Sequence, residues 1–231
     1  MSVETLLAFA KLTRTLRVVG VRDDGLHLID AEMVTLDFAD VLRVRDGGVN
    51  DLPAGDLVSR ALAAAGRSAH VQLDKRIPVG AGLGGGSADA AAILRWAGCT
   101  SVGVAVGLGA DVPFCLLGGG RARVRGIGEV VESLPPVDLS FTLLTPPLHV
   151  STPAVYAAWD RLGGPTVSDG PNDLEPAALA VEPRLAEWRD RLGEATGLTP
   201  ALAGSGGTWF VEGAFPHVPG ALVTRTRNDR P

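Results

Sequence analysis

The sequence predicts an α+β fold with a break near its middle, on three observations. Runs with strand alternation and runs with helical period are mixed, following neither a strict strand–helix series nor the even spacing of an all-β chain. The pair Pro135-Pro136 interrupts the pattern and marks a domain boundary. Glycine is abundant, 30 of 231 residues, roughly twice the ordinary share of about 7%. With 16 prolines the chain still lies below low-complexity compositions, so the glycine excess is local and architectural.

Residues 8–21 alternate and run into Arg22-Asp23-Asp24-Gly25, a turn signal, after which Leu26 to Phe38 is again extended. This reads as a β-hairpin, with a further strand at Val41 to Arg45. Asp56 to Gly66 is an amphipathic helix with a glycine stop, and His70 to Leu73 is a short strand. The densest glycine segment, Gly80 to Gly86, opens onto a helix from Ser87 to Trp96, with Ser87 as its N-cap. Gly107 to Pro113 leads into a short helix or turn, and Arg121 to Leu134 is a strand pair. Beyond the boundary come a strand at Phe141 to Leu144, a helix from Thr152 to Leu162 with Pro153 in its first turn, and a helix from Pro183 to Leu192. A glycine turn at Leu202 to Gly207 feeds a strand at Thr208 to Val211, and the final six residues read as a loose tail. There is no internal repeat.

Net charge is −5 with both signs interspersed, which argues against nucleic acid or an anionic membrane as partner, since both select basic surfaces. The start, MSVETLLAFAKL, lacks a basic n-region, and no apolar run reaches the roughly 18 residues of a membrane span; a cytoplasmic protein is expected. Cys99 and Cys115 have neither CxxC nor zinc spacing and read as buried free thiols. His70, His149 and His217 have no ligand spacing and read as surface or edge residues, and Trp96, Trp159, Trp188 and Trp209 as core. Of the 21 basic side chains two are lysine, Lys11 and Lys75, and the rest arginine. A chain so biased keeps lysine where a compact ammonium serves better than a planar fork, or by chance.

The glycine segment invites several readings. Its backbone N–H groups and the following helix N-terminus make a phosphate cradle. Gly80-x-Gly82-x-x-Gly85 matches the dinucleotide fingerprint literally, yet no acidic residue lies about 20 positions on to hold a ribose. As a Walker A loop it fails because Gly86 stands where that motif has lysine. A loop without ligand is the remaining alternative, at a large entropic cost for so many glycines. Asp111, in Gly-Ala-Asp-Val-Pro, reads on local sequence alone as a helix cap.

The string Lys75-Arg76-Ile77-Pro78-Val79-Gly80-Ala81-Gly82-Leu83-Gly84-Gly85-Gly86-Ser87-Ala88-Asp89-Ala90-Ala91 resembles the ATP-binding loop of the GHMP kinases. Three further segments fall in that family's order: Ala10-Lys11-Leu12, Leu108 to Phe114, and Gly204-Ser205-Gly206. Asp24 to His27, Thr152-Pro153 and Asn172 to Glu175 are smaller echoes, so the resemblance runs from about residue 8 to about residue 212. Both lysines fall on family positions.

The resemblance implies a two-lobed GHMP kinase fold, an ATP-binding lobe over residues 1–136 and a second lobe over 137–231. It implies MgATP-dependent phosphorylation of a cytidine-diphosphate alcohol on the route to isoprenoids, in a monomer or homodimer. Asp111 is then the base on the acceptor hydroxyl and Lys11 its partner at the transferred phosphoryl; an adjacent ammonium favours a charged carboxylate. ATP falls to Lys75, Pro78, Gly80, Gly82, Leu83, Gly84, Gly85, Gly86 and Ser87, and Mg²⁺ to the Ser87 hydroxyl. The acceptor falls to Thr13, Leu26, His27, Thr152, Gly204 and Ser205. Asp89 is expected either to point away from phosphate or to act through the metal.

Some residues depart from the family pattern. Leu26 replaces an aromatic that covers the cytosine ring, Thr13 replaces an asparagine, and Asp56 replaces an asparagine near the adenine side. The segment between Ala92 and Gly107 is shorter than usual and is expected to lack a helix. These departures keep open a kinase of another small alcohol, and a trimmed pseudokinase that binds nucleotide without transfer.

Overall fold

Two very long strands organise the molecule. In the computed structural model, which describes residues 2–164 and 170–228, β1 (Val3–Val21) and β2 (His27–Asp46) pair as one antiparallel hairpin. The strand expected separately at Val41 to Arg45 is the far end of β2, because the chain stays extended through Phe38 and pairs with β1 again at Ala39 and Asp40. Register shifts between Phe9 and Lys11 and between Thr13 and Thr15 bracket Lys11-Leu12-Thr13. Bulges re-aim side chains; here Lys11 and Thr13 are buried on one face and Leu12 on the other.

The first sheet is completed by β3 (Ala69–Asp74), which pairs with the end of β2, and by β4 (Arg121–Gly126) and β5 (Val130–Ser133) beyond the start of β2. Three helices belong to this half: α1 (Leu57–Ala64), capped by Asp56 on Val58 N at 2.8 Å, α2 (Gly85–Trp96) and α3 (Val102–Leu108). The short segment after α2 therefore holds a helix after all, capped by Ser101. The valines and glycines of Val102 to Leu108 hide it from a propensity argument. One π-helical turn, Phe114–Gly118, follows.

After Pro135-Pro136 the chain enters a second sheet, β6 (Ser140–Leu144), β7 (Ala201–Leu202), β8 (Trp209–Glu212) and β9 (Leu222–Arg225), in the order β7-β8-β6-β9. Its helices are α4 (Thr152–Arg161), α5 (Glu175–Val181) and α6 (Leu185–Thr196). The sequence reading missed α5 and β9. It placed α6 too early, because Pro183 precedes the helix rather than opening it. Of the expected loose tail, Thr226 and Arg227 hydrogen-bond to Leu139 and Thr35 backbone, and the last three residues lie outside the described ones.

Three apolar clusters fill the interior. One lies among β1 to β3 and α1 to α3, around Leu42, Val58 and Ile93. A second joins the hairpin's turn end to α4–α6, around Leu16, Met33, Trp159 and Trp209. The third, with Leu12, Leu36, Ile77, Leu83, Phe141 and Phe210, lies between the hairpin, the glycine segment and the second sheet. Trp159 and Trp209 are core as expected, whereas Trp96 and Trp188 are half-buried beneath Arg67 and Arg191. Both cysteines are free and half-buried, and burial pushes the Cys115 thiol up to about 12. His149 and His217 are exposed, and His70 is half-buried beside Asp51 at 3.3 Å.

Trp209 is fully buried and its indole donates to Leu185 O at 2.9 Å. Trp209→Ala should lower unfolding free energy by about 3–5 kcal/mol, read from urea denaturation.

Candidate active site

The glycine segment leaves β3, crosses the third apolar cluster and turns into α2. Ile77, Ala81 and Leu83 are buried in that cluster and pin the segment from below, while the glycines between them form its upper surface. At two of these positions no other residue fits. Gly82 has φ +76°, and a Cβ there would come within 2.3 Å of Ala203 O and 2.9 Å of Gly206 O. Gly84 has φ +69°, and a Cβ would meet Lys11 Cγ at 2.7 Å. The first lets the Gly204–Gly207 turn lie backbone to backbone against the loop. The second lets the Lys11 stem pass under the start of α2.

Gly84, in left-handed geometry, is also the cap of α2; Ser87, expected as cap, is the third residue inside the helix. The reason is steric: the left-handed glycine starts the helix early, leaving the Gly85, Gly86 and Ser87 N–H groups in the first turn. Lys11 is held there by its backbone too, its N–H donating to Leu83 O at 3.0 Å.

Above this floor opens a cleft of about 770 Å³. Lys11, Thr13, Lys75, Pro78, Gly80, Gly82, Gly84, Gly85, Gly86, Ser87, Asp111, Thr152, Gly204 and Ser205 all line it. Lys11 Nζ lies 3.1 Å from Asp111 Oδ2 and 3.0 Å from Thr13 Oγ1, with side-chain exposures of 4% for Lys11 and 29% for Asp111. Asp111 is thus an ion-pair partner rather than a helix cap; Pro113 precedes the π-helical turn. Gly204 is close enough that a Cβ would stand 3.4 Å from Lys11 Nζ. On the opposite wall Thr152 Oγ1 and Ser205 Oγ share a hydrogen bond of 2.7 Å.

Three expected site residues do not line the cleft. Leu83 is buried beneath it and takes part through its carbonyl. Leu26 sits at the hairpin tip, 46% exposed. His27 lies one layer back, its Nε2 2.8 Å from Asp160 and its ring 4.7 Å from that of Tyr156. Tyr156, which the sequence reading overlooked, does line the cleft, and burial raises its hydroxyl pKa. Its signal was present: Tyr156 is four residues after Thr152, on the same face of α4. Asp56 lines the cleft too while capping α1.

Asp89 neither points away nor stands free. Its side chain, 3% exposed, takes a 2.8 Å hydrogen bond on Oδ2 from Lys75, whose ammonium also binds the buried Asp40; Asp89 Oδ1 has no partner. Burial pushes the Asp89 carboxyl up to about 7, against the opposing pull of Lys75. Burial works against the Lys75 ammonium, but hydrogen bonds to Asp40 and Asp89 outweigh it and raise its pKa.

Among the described residues no group of three or more His, Cys, Asp or Glu could hold a metal. A magnesium ion bound mainly through phosphate oxygens and water, with one hydroxyl, fits such a wall, since Mg²⁺ keeps several waters and needs few protein ligands. The glycine surface, with left-handed turns where a Cβ would collide, fits a nucleotide phosphate chain.

Residues 54–119 match the family described as GHMP kinases N terminal domain. A 4-diphosphocytidyl-2-C-methyl-D-erythritol kinase of Paracoccus denitrificans is 38% identical, covering 94% of this chain and 89% of that protein. The enzyme of the same name from Pelotomaculum thermopropionicum is 40% identical over 89% of this chain and 88% of its own length. Among solved structures, a 4-(cytidine 5'-diphospho)-2C-methyl-D-erythritol kinase superposes with a TM-score of 0.77 at 30% identity, covering 97% of this chain and 99% of the other. Homoserine kinase from Cytophaga hutchinsonii, at 19% identity and TM-score 0.62, shares the fold.

Two outcomes follow from this geometry. Gly82→Ala should abolish nucleotide binding by calorimetry and lower the melting temperature, because the new methyl strikes the Ala203 carbonyl. Asp89 binds its proton more tightly folded than unfolded, so its stabilising contribution is complete below about pH 4 and is lost as pH rises through about 7. In nucleotide-free protein the melting temperature of Asp89→Asn should therefore gain on that of the parent as pH rises from 4.5 to 8.

Proposed function

The chain belongs to the GHMP kinase family, among the 4-diphosphocytidyl-2-C-methyl-D-erythritol kinases, and from that we infer that it transfers the γ-phosphoryl group of ATP to the 2-hydroxyl of 4-diphosphocytidyl-2-C-methyl-D-erythritol. This is a step of isoprenoid precursor synthesis. The observation that carries the reading is the Lys11–Asp111 pair, 3.1 Å apart beside the glycine loop.

Phosphoryl transfer asks a protein for positioning and charge stabilisation more than for covalent chemistry. The N–H groups of the loop and of the first turn of α2 hold the phosphates. Asp111 takes the proton from the acceptor hydroxyl as that oxygen attacks. Lys11, kept in place by Thr13 and by the Leu83 carbonyl, faces the negative charge on the transferred group. The Ser87 hydroxyl, in the cleft wall, is the protein group we assign to a magnesium ion, which would supply charge neutralisation to the nucleotide phosphates. Pro78 and Gly80 border the nucleotide, with Lys75 behind them.

On the acceptor side Tyr156 offers the flat apolar surface a cytosine ring needs, which answers the absence of an aromatic at Leu26. His27, tethered to Asp160, backs that tyrosine. To the methylerythritol portion we assign Thr13, Thr152, Gly204 and Ser205, which line the same cleft as Asp111. We take residues 1–136 as the ATP lobe and 137–231 as the second lobe. We read the protein as a cytoplasmic enzyme, monomeric or homodimeric, that acts on small molecules and not on nucleic acid. No helix among the described residues is long and apolar enough to cross a membrane.

The test is ADP release with and without the diphosphocytidyl acceptor, beside a panel of other alcohols. Acceptor-stimulated turnover supports the reading; nucleotide binding without stimulated turnover would make the chain a pseudokinase. Asp111→Asn should lower kcat at least about a hundredfold, and a near-parental rate would remove Asp111 as the base.

A further inference from the structure

Asp40 lies outside the cleft and has no part in the steps above, yet both of its buried oxygens are engaged by donors. It stands on β2 with a side-chain exposure of 0%. Its Oδ1 accepts from the backbone N–H of Arg76 and, at 2.7 Å, of Ile77, while its Oδ2 takes the Lys75 ammonium. Burying a carboxylate is costly unless charge and hydrogen bonds compensate it, and here three donors converge from three successive residues.

Those three residues are the ones that lead into the glycine loop. Ile77 is itself buried in the third apolar cluster, so the start of the loop is fixed by packing and by Asp40 together. The far end of the loop is reached by the same ammonium: Lys75 Nζ also donates to Asp89 on α2 at 2.8 Å. It lies directly beneath the exit of the loop, since a Cβ at Gly85 would stand 3.0 Å from Lys75 Nζ and 3.0 Å from Ile77 Cγ2. A point-like ammonium with three donors can serve two carboxylates in so tight a place; a planar guanidinium is too wide. With both carboxylates engaged, the Lys75 ammonium is anchored to the protein, while 30% of its side chain stays exposed in the cleft wall.

We propose that Asp40 is a positioning residue for the nucleotide, fixing both ends of the Pro78–Gly84 loop through Lys75 and the Arg76–Ile77 backbone so that the loop N–H groups keep their aim. The proposal rests on the nucleotide reading of the loop. Asp40 touches no substrate; its effect on the reaction passes through the loop.

Asp40→Asn separates the parts, since the amide oxygen still accepts from the two backbone N–H groups but places no charge on Lys75. KM for ATP should rise about tenfold or more, the scale of one hydrogen bond to a charged group. The kcat at saturating ATP and KM for the acceptor should stay within about twofold. Lys75→Met should raise KM for ATP by a similar factor, and the double variant should be no worse than the poorer single one, because both act through one contact. A loss of kcat with KM for ATP unchanged, or full additivity in the double variant, would overturn the proposal. Should Asp40→Asn not fold, Lys75→Met alone decides: an unchanged KM for ATP overturns it. If the parent shows no acceptor-stimulated turnover the kinase reading fails, and ADP affinity by calorimetry still tests Asp40 in the same variants.

Discussion

The close approach of two glycine segments is the constraint on which the rest depends. The Gly80–Gly86 loop and the Gly204–Gly207 turn meet backbone to backbone, at a separation that excludes even a methyl group at Gly82. Across this contact the Thr208 N–H donates to Ala81 O at 3.2 Å. One segment leads out of the first sheet, the other joins β7 to β8 of the second. Their contact brings Lys11, the first turn of α2 and the Thr152–Ser205 wall around one cleft. Side chains of any size at the contact would push the walls apart, so glycine content, sheet packing and site geometry are one fact seen three ways.

Ionic contacts then set what the cleft can do. The two lysines are both drawn to carboxylates, Lys11 to Asp111 and Lys75 to Asp40 and Asp89, but with different consequences. Asp111 keeps 29% of its side chain exposed and can meet a hydroxyl. Asp40 is sealed off and can act only on the protein. On the function proposed above, a shared residue type would support chemistry in one case and shape in the other, and the difference lies in solvent access.

Much of the site was legible because glycine and lysine are informative where they are scarce or crowded. The loop could be read from its glycines, while Lys11 and Asp111 are singled out by the resemblance, and the structure brings all three to one cleft. The hairpin was legible from alternation, although alternation could not tell that β2 runs unbroken through Phe38 to Asp40. What escaped was set by tertiary contact. The helix at Val102 to Leu108 is made of residues with poor helical preference. The displaced cap of α2 depends on the left-handed Gly84. The carboxylate under the loop, Asp40, is 35 residues from its lysine, a pairing that no local pattern announces. The resemblance assigns Leu26 to the acceptor because it stands where the family has an aromatic, yet it lies at the hairpin tip, 46% exposed and outside the cleft lining.

The length of the β1–β2 hairpin bears on how the molecule comes apart. At about 3.3 Å per residue its strands reach from the α1–α2 side to the α4–α6 side, and their residues belong to all three apolar clusters. A chain cut at Pro135-Pro136 would therefore not release two self-sufficient pieces. The first piece would carry Leu16, Val18, Ile29 and Met33 with their covering helices removed, an apolar strand surface prone to self-association. With the hairpin shared by all three apolar clusters, amide exchange along it should report opening as a single event.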